Sequence, residues 1–155
     1  MVLLLALLIG IVAGLRTMTA PAVVAWATHL NWFDVGGGWL SLMSHWITPW
    51  IFTLLALAEL VADQLPSTPS RTVPMQFGAR ILSGALTGAT LGASAGTLVG
   101  GLLAGIVGAV IGTLGGRAIR GKLAASFRRD RPAAFLEDAI AIIGGILIVA
   151  ATRGW

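Results

Sequence analysis

The fold is decided by residues 84–116, which read GALTGATLGASAGTLVGGLLAGIVGAVIGTLGG. This stretch has no charged residue, and its glycines recur every four positions from 84 to 100, then at 101 and 105 and at 108, 112 and 116. Such spacing lines one helix face, where the missing side chains let a second backbone approach closely. The apolar stretch from Gln76 to about Ile119 is too long for one span, so we predict two helices in a glycine zipper, divided at Gly100–Gly101. A re-entrant hairpin within 84–116 is the alternative to two full spans, and a glycine-lined pore is the alternative to close packing.

The composition of the whole chain indicates lipid as its solvent. Hydrophobic residues make up 57% of the 155 residues and charged residues 10%, whereas a soluble domain is about 25% charged. The mean hydropathy of +0.92 excludes intrinsic disorder. The absence of cysteine excludes disulfide frameworks and thiolate metal sites. We therefore predict an all-α integral membrane bundle, a single transmembrane domain over residues 1–155 that has the lipid bilayer as its partner and needs no cofactor.

Three further apolar runs bring the predicted number of transmembrane helices to five. They cover residues 2–30, 47–65 and 134–152, each boundary being approximate. The first run exceeds the usual span of about 20 residues, and we expect it to be tilted or broken near Gly14–Pro21. Five of the six tryptophans surround the turn NWFDVGGG (31–38) and a short amphipathic piece at 39–46, which is typical of a membrane–water interface.

Charge placement predicts the orientation of these spans. Six of the ten lysines and arginines lie between Arg117 and Arg131. In a chain this apolar, the cluster indicates a cytoplasmic loop at 117–133 and no nucleic-acid partner. The N-terminus then also lies in the cytoplasm, whereas the tryptophan-rich turn and the C-terminus face outward.

Ionisable residues within the spans are the candidate functional residues, because charge in lipid is costly and usually functional. Arg16 lies near the middle of the first span and needs a carboxylate, free carbonyls at a helix break, or water. Glu59 and Asp63 share one helix face and form a candidate cation or proton site, and they are the candidates for any metal ligand. We nominate Glu59, or Asp63 one turn along, as the partner of Arg16. An ion pair with Arg80, or with Arg117 or Arg120, is the structural alternative for the two acids.

Two further groups of polar residues have both functional and structural interpretations. Glu137 and Asp138 open the last span, where they either complement the helix dipole or join Glu59 and Asp63 in a four-carboxylate cluster. Arg71, with the hydroxyls of 67–70, resembles a small anion-binding loop ahead of a helix N-terminus. The chain has no P-loop, nucleophile elbow or zinc-protease motif, and no paired nucleophile and base, so we do not expect an enzyme.

Three segments resemble the hallmark segments of a bacterial family of small multi-pass membrane proteins known as a domain of unknown function. They are GLRTMTAPAVVAWA (14–27), ELVADQLPSTPSRT (59–72) and EDAIAIIGG (137–145). The resemblance spans nearly the whole chain and implies an integral protein of the bacterial cytoplasmic (inner) membrane. It implies no activity.

Together these features predict a small transporter or channel-like protein for an inorganic cation or a proton-coupled small solute. Charged residues within spans and a broken first helix are typical of transport sites. One alternative is binding of a phosphate compound or lipid headgroup through Arg16, Arg71 and Arg80, and another is a non-transporting structural protein. The number of four-spaced glycine faces also favours a homodimer.

Overall fold

A computed structural model describes residues 1–63, 73–127 and 130–153 of the chain. Within these ranges the protein forms helices joined by turns, with no strand, so the predicted all-α class is confirmed. The helices are α1 (Val2–Leu15), α2 (Thr19–His29), a 3₁₀ helix (Trp39–Ser44), α3 (Thr48–Ala62), α4 (Pro74–Ala93), α5 (Leu98–Phe127) and α6 (Asp130–Ala150).

Two of these helices are long and apolar enough to cross a membrane. They are α5, at Leu98–Phe127, and the part of α6 from Pro132 to Ala150. The apolar helices α1 and α3 are shorter. The candidate spans agree with the lipid-like composition and support a membrane protein.

The predicted division of the glycine-rich stretch at Gly100–Gly101 is wrong, because both residues lie inside α5. The turn between α4 and α5 comes earlier, at residues 94–97. Gly96 adopts a φ of +68°, a left-handed conformation that commonly ends helices. The N–H of Thr97 donates to the carbonyl of Gly92 at 2.8 Å, which closes the end of α4. Several glycines of this stretch could have formed such a turn, and their spacing does not distinguish them.

Helices α4 and α5 approach each other through backbone. A β-carbon added to Gly88 would lie 2.8 Å from the Cα of Gly105, and one added to Gly92 would lie 2.8 Å from the Cα of Gly101. Real β-carbons essentially never come this close to another atom. Side chains at these positions would therefore force the two helices apart.

Helix α1 packs on the same helix α5 in the same way. A β-carbon added to Gly10 would lie 2.9 Å from the Cα of Gly105, and one added to Gly14 would lie 2.6 Å from the backbone nitrogen of Thr113. The most extensive contacts between helices in the described chain are those of α5 with α1 and with α4. These glycine faces are thus occupied by helices of the same chain. They give no support to the predicted homodimer, which stays a prediction.

The predicted basic loop at 117–133 is largely helical. Helix α5 continues to Phe127, and α6 begins at Asp130. Arginine, lysine, leucine and alanine are good helix formers, and no proline interrupts the segment before Pro132, which falls in the first turn of α6. The basic residues are clustered as the charge pattern indicated. From Arg117 to Lys122, however, they lie on the last turns of α5 rather than in a loop.

The tryptophan-rich segment and the end of α6 lie at the same end of the bundle. The guanidinium carbon of Arg153 lies 4.4 Å from the ring centroid of Trp32. Nearby, the rings of Trp26 and Trp50 meet edge to face with their centroids 5.1 Å apart. Within the short amphipathic piece predicted at 39–46, residues Trp39–Ser44 form a 3₁₀ helix, and Trp39 and Trp46 are exposed.

Candidate functional site: a buried ion network at a helix break

The first apolar run is broken, as predicted, between Leu15 at the end of α1 and Thr19 at the start of α2. Arg16 is extended there, with φ −137° and ψ 114°. Pro21 explains the position of the break, because its ring clashes with a helical carbonyl four residues earlier, at Thr17. That carbonyl accepts a hydrogen bond from Ser83 Oγ at 2.5 Å instead. The break leaves backbone N–H and C=O groups that need partners inside the bundle.

Glu59, from α3, satisfies the N–H groups at the start of α2. The N–H of Thr17 donates to Glu59 Oε1 at 2.8 Å, and the N–H of Met18 donates to Oε2 at 2.8 Å. A carboxylate in this position also faces the positive end of the α2 dipole. Glu59 therefore caps a helix whose own sequence provides no side-chain cap.

Arg80, from α4, satisfies the carbonyl groups at the end of α1. Its Nη1 atom donates to the carbonyls of Gly14 and Leu15 at 2.8 Å each. Thr113 Oγ1, which donates to the carbonyl of Ala109 at 2.7 Å, also lies 3.3 Å from the carbonyl oxygen of Gly14. Arg80 Nη2 lies 3.9 Å from Glu59 Oε1, so the groups that bind the two sides of the break also pair with each other.

Arg16 is completely buried and is shared by two carboxylates. Its guanidinium forms salt bridges with Asp63, at the C-terminal end of α3, and with Asp138, in α6. Helix α5 provides an adjacent pair, in which Arg120 Nη1 lies 3.5 Å from Glu137 Oε2. These contacts join the break in the first run to α3, α4 and α6.

The structure brings together most of the predicted site residues but rearranges their partners. Asp63 pairs with Arg16, as the second of our two nominations proposed. Glu59, the first nomination, is wrong as the Arg16 partner, because its oxygens are bound to the backbone of α2. The pairing of Glu59 with Arg80 matches the ion pair that was the structural alternative to a cation or proton site. Arg71 lies outside the described residues.

The predicted four-carboxylate cluster is divided between different arginines. Asp63 and Asp138 face Arg16, Glu59 faces Arg80, and Glu137 faces Arg120. Among the residues that the structure describes, no three Asp, Glu, His or Cys side chains converge on a point that could hold a metal ion.

Three carboxylates face two guanidiniums among the residues that the structure describes around the break. They are the carboxylates of Glu59, Asp63 and Asp138 and the guanidiniums of Arg16 and Arg80. Arg120 and Glu137 form a further pair beside them. Arg16 therefore lies between two acids, and it would keep one partner if the other lost its charge.

The sequence analysis missed the roles of three side chains at the break. Arg80 was considered only as an ion-pair partner or anion ligand, and Ser83 and Thr113 were not considered. Arg80 and Ser83 are spaced i and i+3, which places them on one face of α4. A charged residue and a hydroxyl on one face of an otherwise apolar helix are the signal that could have revealed the polar contact.

Substitutions at Glu59 should test whether its two oxygens cap α2. Glu59→Gln keeps one oxygen acceptor and loses the other, leaving an N–H of α2 without its partner. We expect it to lower the free energy of unfolding by about 1–3 kcal/mol, and Glu59→Ala to lower it further. Thermal unfolding in mild detergent measures both, with Asp34→Asn, at an exposed acid, as the control. Equal melting temperatures for Glu59→Gln and the parent would contradict the capping role.

A helical bundle with two candidate membrane spans, and with buried Arg16 and Arg80 facing carboxylates, supports a helical membrane protein with a charged centre. The chain belongs to the family described as Domain of unknown function (DUF4126), whose model matches residues 3–152. This match confirms the resemblance to an uncharacterised family. No curated protein and no solved structure matches the chain.

Proposed function

We propose that this protein is a small proton-coupled carrier of the bacterial cytoplasmic membrane. In this proposal α3, α4, α5 and α6 are membrane spans, and α1 and α2 are the two arms of a hairpin that turns at the break. The basic end of α5 faces the cytoplasm, following the positive-inside rule. The prediction that the N-terminus lies on that same side is wrong, because α1 runs parallel to α5, with Leu3 beside Gly100 and Gly14 beside Thr113. The glycine faces of α4 and α5 act as the zipper that holds the bundle in lipid.

The observation that carries the proposal is the sharing of fully buried Arg16 between Asp63 and Asp138. The two carboxylates come from the end of α3 and from α6, and three carboxylates face two guanidiniums among the described residues around the break. Protonation of Asp63 would leave Arg16 paired with Asp138 alone and would release the end of α3. Charge in lipid is costly, so we propose that a proton binds at this group of carboxylates.

Helix α3 is the element that such a release would move. It packs mainly on α2 and the 3₁₀ helix, and Pro49 is its one buried residue. Next to it, a cleft of about 240 Å³ reaches the break and is lined by residues that include Met18, Pro21, Phe52 and Ser83. Discontinuous helices beside a cleft are typical of transport sites. We propose this cleft as the path by which a small solute reaches the network.

Proton flux in liposomes tests the proposal. Purified protein is reconstituted, a pH gradient is imposed, and its dissipation is followed with an interior pH dye after addition of sodium, potassium or phosphate salts. We expect dissipation above that of protein-free liposomes with at least one salt, and loss of that excess in Asp63→Asn and Asp138→Asn. Asp34→Asn, at an exposed acid in the turn after α2, is the matched control and should retain the flux.

A non-transporting structural protein is the second candidate, favoured by the full burial of Arg16 and by the hydrogen bonds that Glu59 and Arg80 make at the break. Folded parent protein that gives no excess flux with any of the three salts would overturn the carrier proposal and leave this candidate. Anion binding through Arg16 and Arg80 has less support, because both guanidiniums are buried and engaged with protein groups.

A further inference from the structure

A groove runs between the C-terminal ends of α2 and α6, in the part of the bundle that carries the tryptophans. It has a volume of about 230 Å³ and is lined by apolar and aromatic side chains, among them Trp26, Trp32 and Ile146. Val149 in its lining is buried, whereas Leu30 and Ile146 are about half exposed, so the groove opens on the surface of the bundle. None of its described lining residues belongs to the Arg16 network.

The aromatic wall of this groove is held in place by α3. Trp26 Nε1 donates a hydrogen bond to Thr53 Oγ1 at 3.0 Å. The ring of Trp26 also meets that of Trp50 edge to face, with the centroids 5.1 Å apart. A wall that is already ordered loses little conformational freedom when a ligand packs on it, so the groove is preformed for binding.

Arg153 places a positive charge at this groove. Its guanidinium carbon lies 4.4 Å from the ring centroid of Trp32, which is one of the lining residues. Arg153 is exposed, and among the described residues no carboxylate forms a salt bridge with it. Contact with an aromatic face does not neutralise a guanidinium, which carries five N–H donors. Arg153 can therefore bind an anion while it stays against the groove wall.

The size and the position of the groove favour a lipid as its occupant. Its volume is below the roughly 300–1,000 Å³ of pockets that enclose a drug-sized ligand, so it suits one apolar chain lying along the surface. Tryptophan rings favour the level of the lipid headgroups. Trp26 and Trp32 would place the groove at that level, and Arg153 would supply a cation there. These features are complementary to an acyl chain that carries an anionic headgroup.

We propose that this groove binds an anionic phospholipid, with one acyl chain between α2 and α6 and the phosphate on Arg153. The site depends on the membrane location of the bundle but uses neither the Arg16 network nor proton transfer. Lipid binding without proton flux, or flux without lipid binding, would therefore distinguish this proposal from the carrier proposal.

Lipid-dependent thermal unfolding of the full chain in mild detergent tests the proposal. Dioleoyl phosphatidylglycerol should raise the melting temperature at concentrations where dioleoyl phosphatidylcholine does not. Arg153→Gln should weaken the apparent affinity for phosphatidylglycerol roughly five-fold, which corresponds to about 1 kcal/mol for one charge near the membrane surface. Lys122→Gln, which removes an exposed charge from α5, is the matched control and should leave the affinity unchanged.

Two further comparisons separate the groove from simple charge attraction. Ile146→Trp fills the groove and should reduce phosphatidylglycerol binding, whereas Ile143→Trp, at an exposed residue of α6 that does not line the groove, should not. If Ile146→Trp does not fold, Leu30→Trp fills the groove from the α2 side. Glycerol phosphate, which has the headgroup charge without the acyl chains, should give no shift.

Three results would overturn the proposal. They are a shift with phosphatidylcholine equal to that with phosphatidylglycerol, an equal shift with glycerol phosphate, and parent-like phosphatidylglycerol binding in Arg153→Gln or in the groove-filling variant. The first would show no preference for an anionic headgroup, and the second would show an anion site that needs no acyl chain. The third would place the bound lipid elsewhere on the protein.

Discussion

Arg16→Met should lower the free energy of unfolding by about 3–5 kcal/mol, because it leaves the buried Asp138 and the partly buried Asp63 without their cation. Thermal unfolding in mild detergent measures the loss. Lys122→Met removes the same charge from an exposed position and should change the free energy by less than about 0.5 kcal/mol. If the two variants melt together, Arg16 is not the paired charge that the structure shows.

Combining Arg16→Met with changes to the acids identifies its partners. The triple variant Arg16→Met, Asp63→Asn and Asp138→Asn removes all three charges and should recover most of the lost stability, since no buried ion is left unpaired. Adding Glu59→Gln to Arg16→Met should recover none, because Glu59 binds backbone N–H groups rather than Arg16. Recovery by Glu59→Gln would reinstate the pairing that the sequence analysis nominated first.

The break in the first helix could be predicted because its causes lie close together in the sequence. Arg16 in the middle of an apolar run cannot lose its charge, and Pro21 excludes helical backbone at Thr17. The identity of the partners could not be predicted in the same way. Asp138 is far away along the chain, and the sequence placed it in the first turn of the last span, where the helix dipole explained it equally well. That placement is wrong, because α6 begins eight residues earlier, at Asp130. The contact between Arg16 and Asp138 depends on how α1 and α6 pack, which one sequence does not specify.

The role of Arg80 could be recognised only after the break had been located. The carbonyls of Gly14 and Leu15 lack helical partners because α1 ends there, and a sequence pattern does not show which carbonyls will be free. The extent of α5 was missed for a different reason. Its last turns were interpreted through their charge, as a loop, although their residues favour a helix. Charge and helix propensity are separate signals, because a segment can be both basic and helical, as the end of α5 is.

Gly105→Ala should be the most damaging of the single-methyl additions to α5. Gly105 faces α4 and α1 at once: its own β-carbon would lie 3.0 Å from the Cα of Gly88, and a β-carbon on Gly10 would meet Gly105 itself. The obstructing atoms are backbone, which cannot rotate away, so the helices must separate. We expect the free energy of unfolding to fall by at least about 1–3 kcal/mol, the usual cost of overpacking.

Gly115→Ala is the matched control for this experiment, because it adds the same methyl group to the same helix with no atom within 4 Å of the new β-carbon. There alanine should be neutral or should stabilise the helix by up to about 1 kcal/mol. Thermal unfolding of the two variants in the same detergent gives the comparison, and light scattering on the same samples gives the oligomeric state. Because the contacts of Gly105 lie within one chain, its loss of stability should appear without any change in oligomeric state. Equal melting temperatures for the two variants would show that α1, α4 and α5 do not approach as closely as the structure places them. A change of oligomeric state in Gly105→Ala alone would place the contacts of Gly105 between chains.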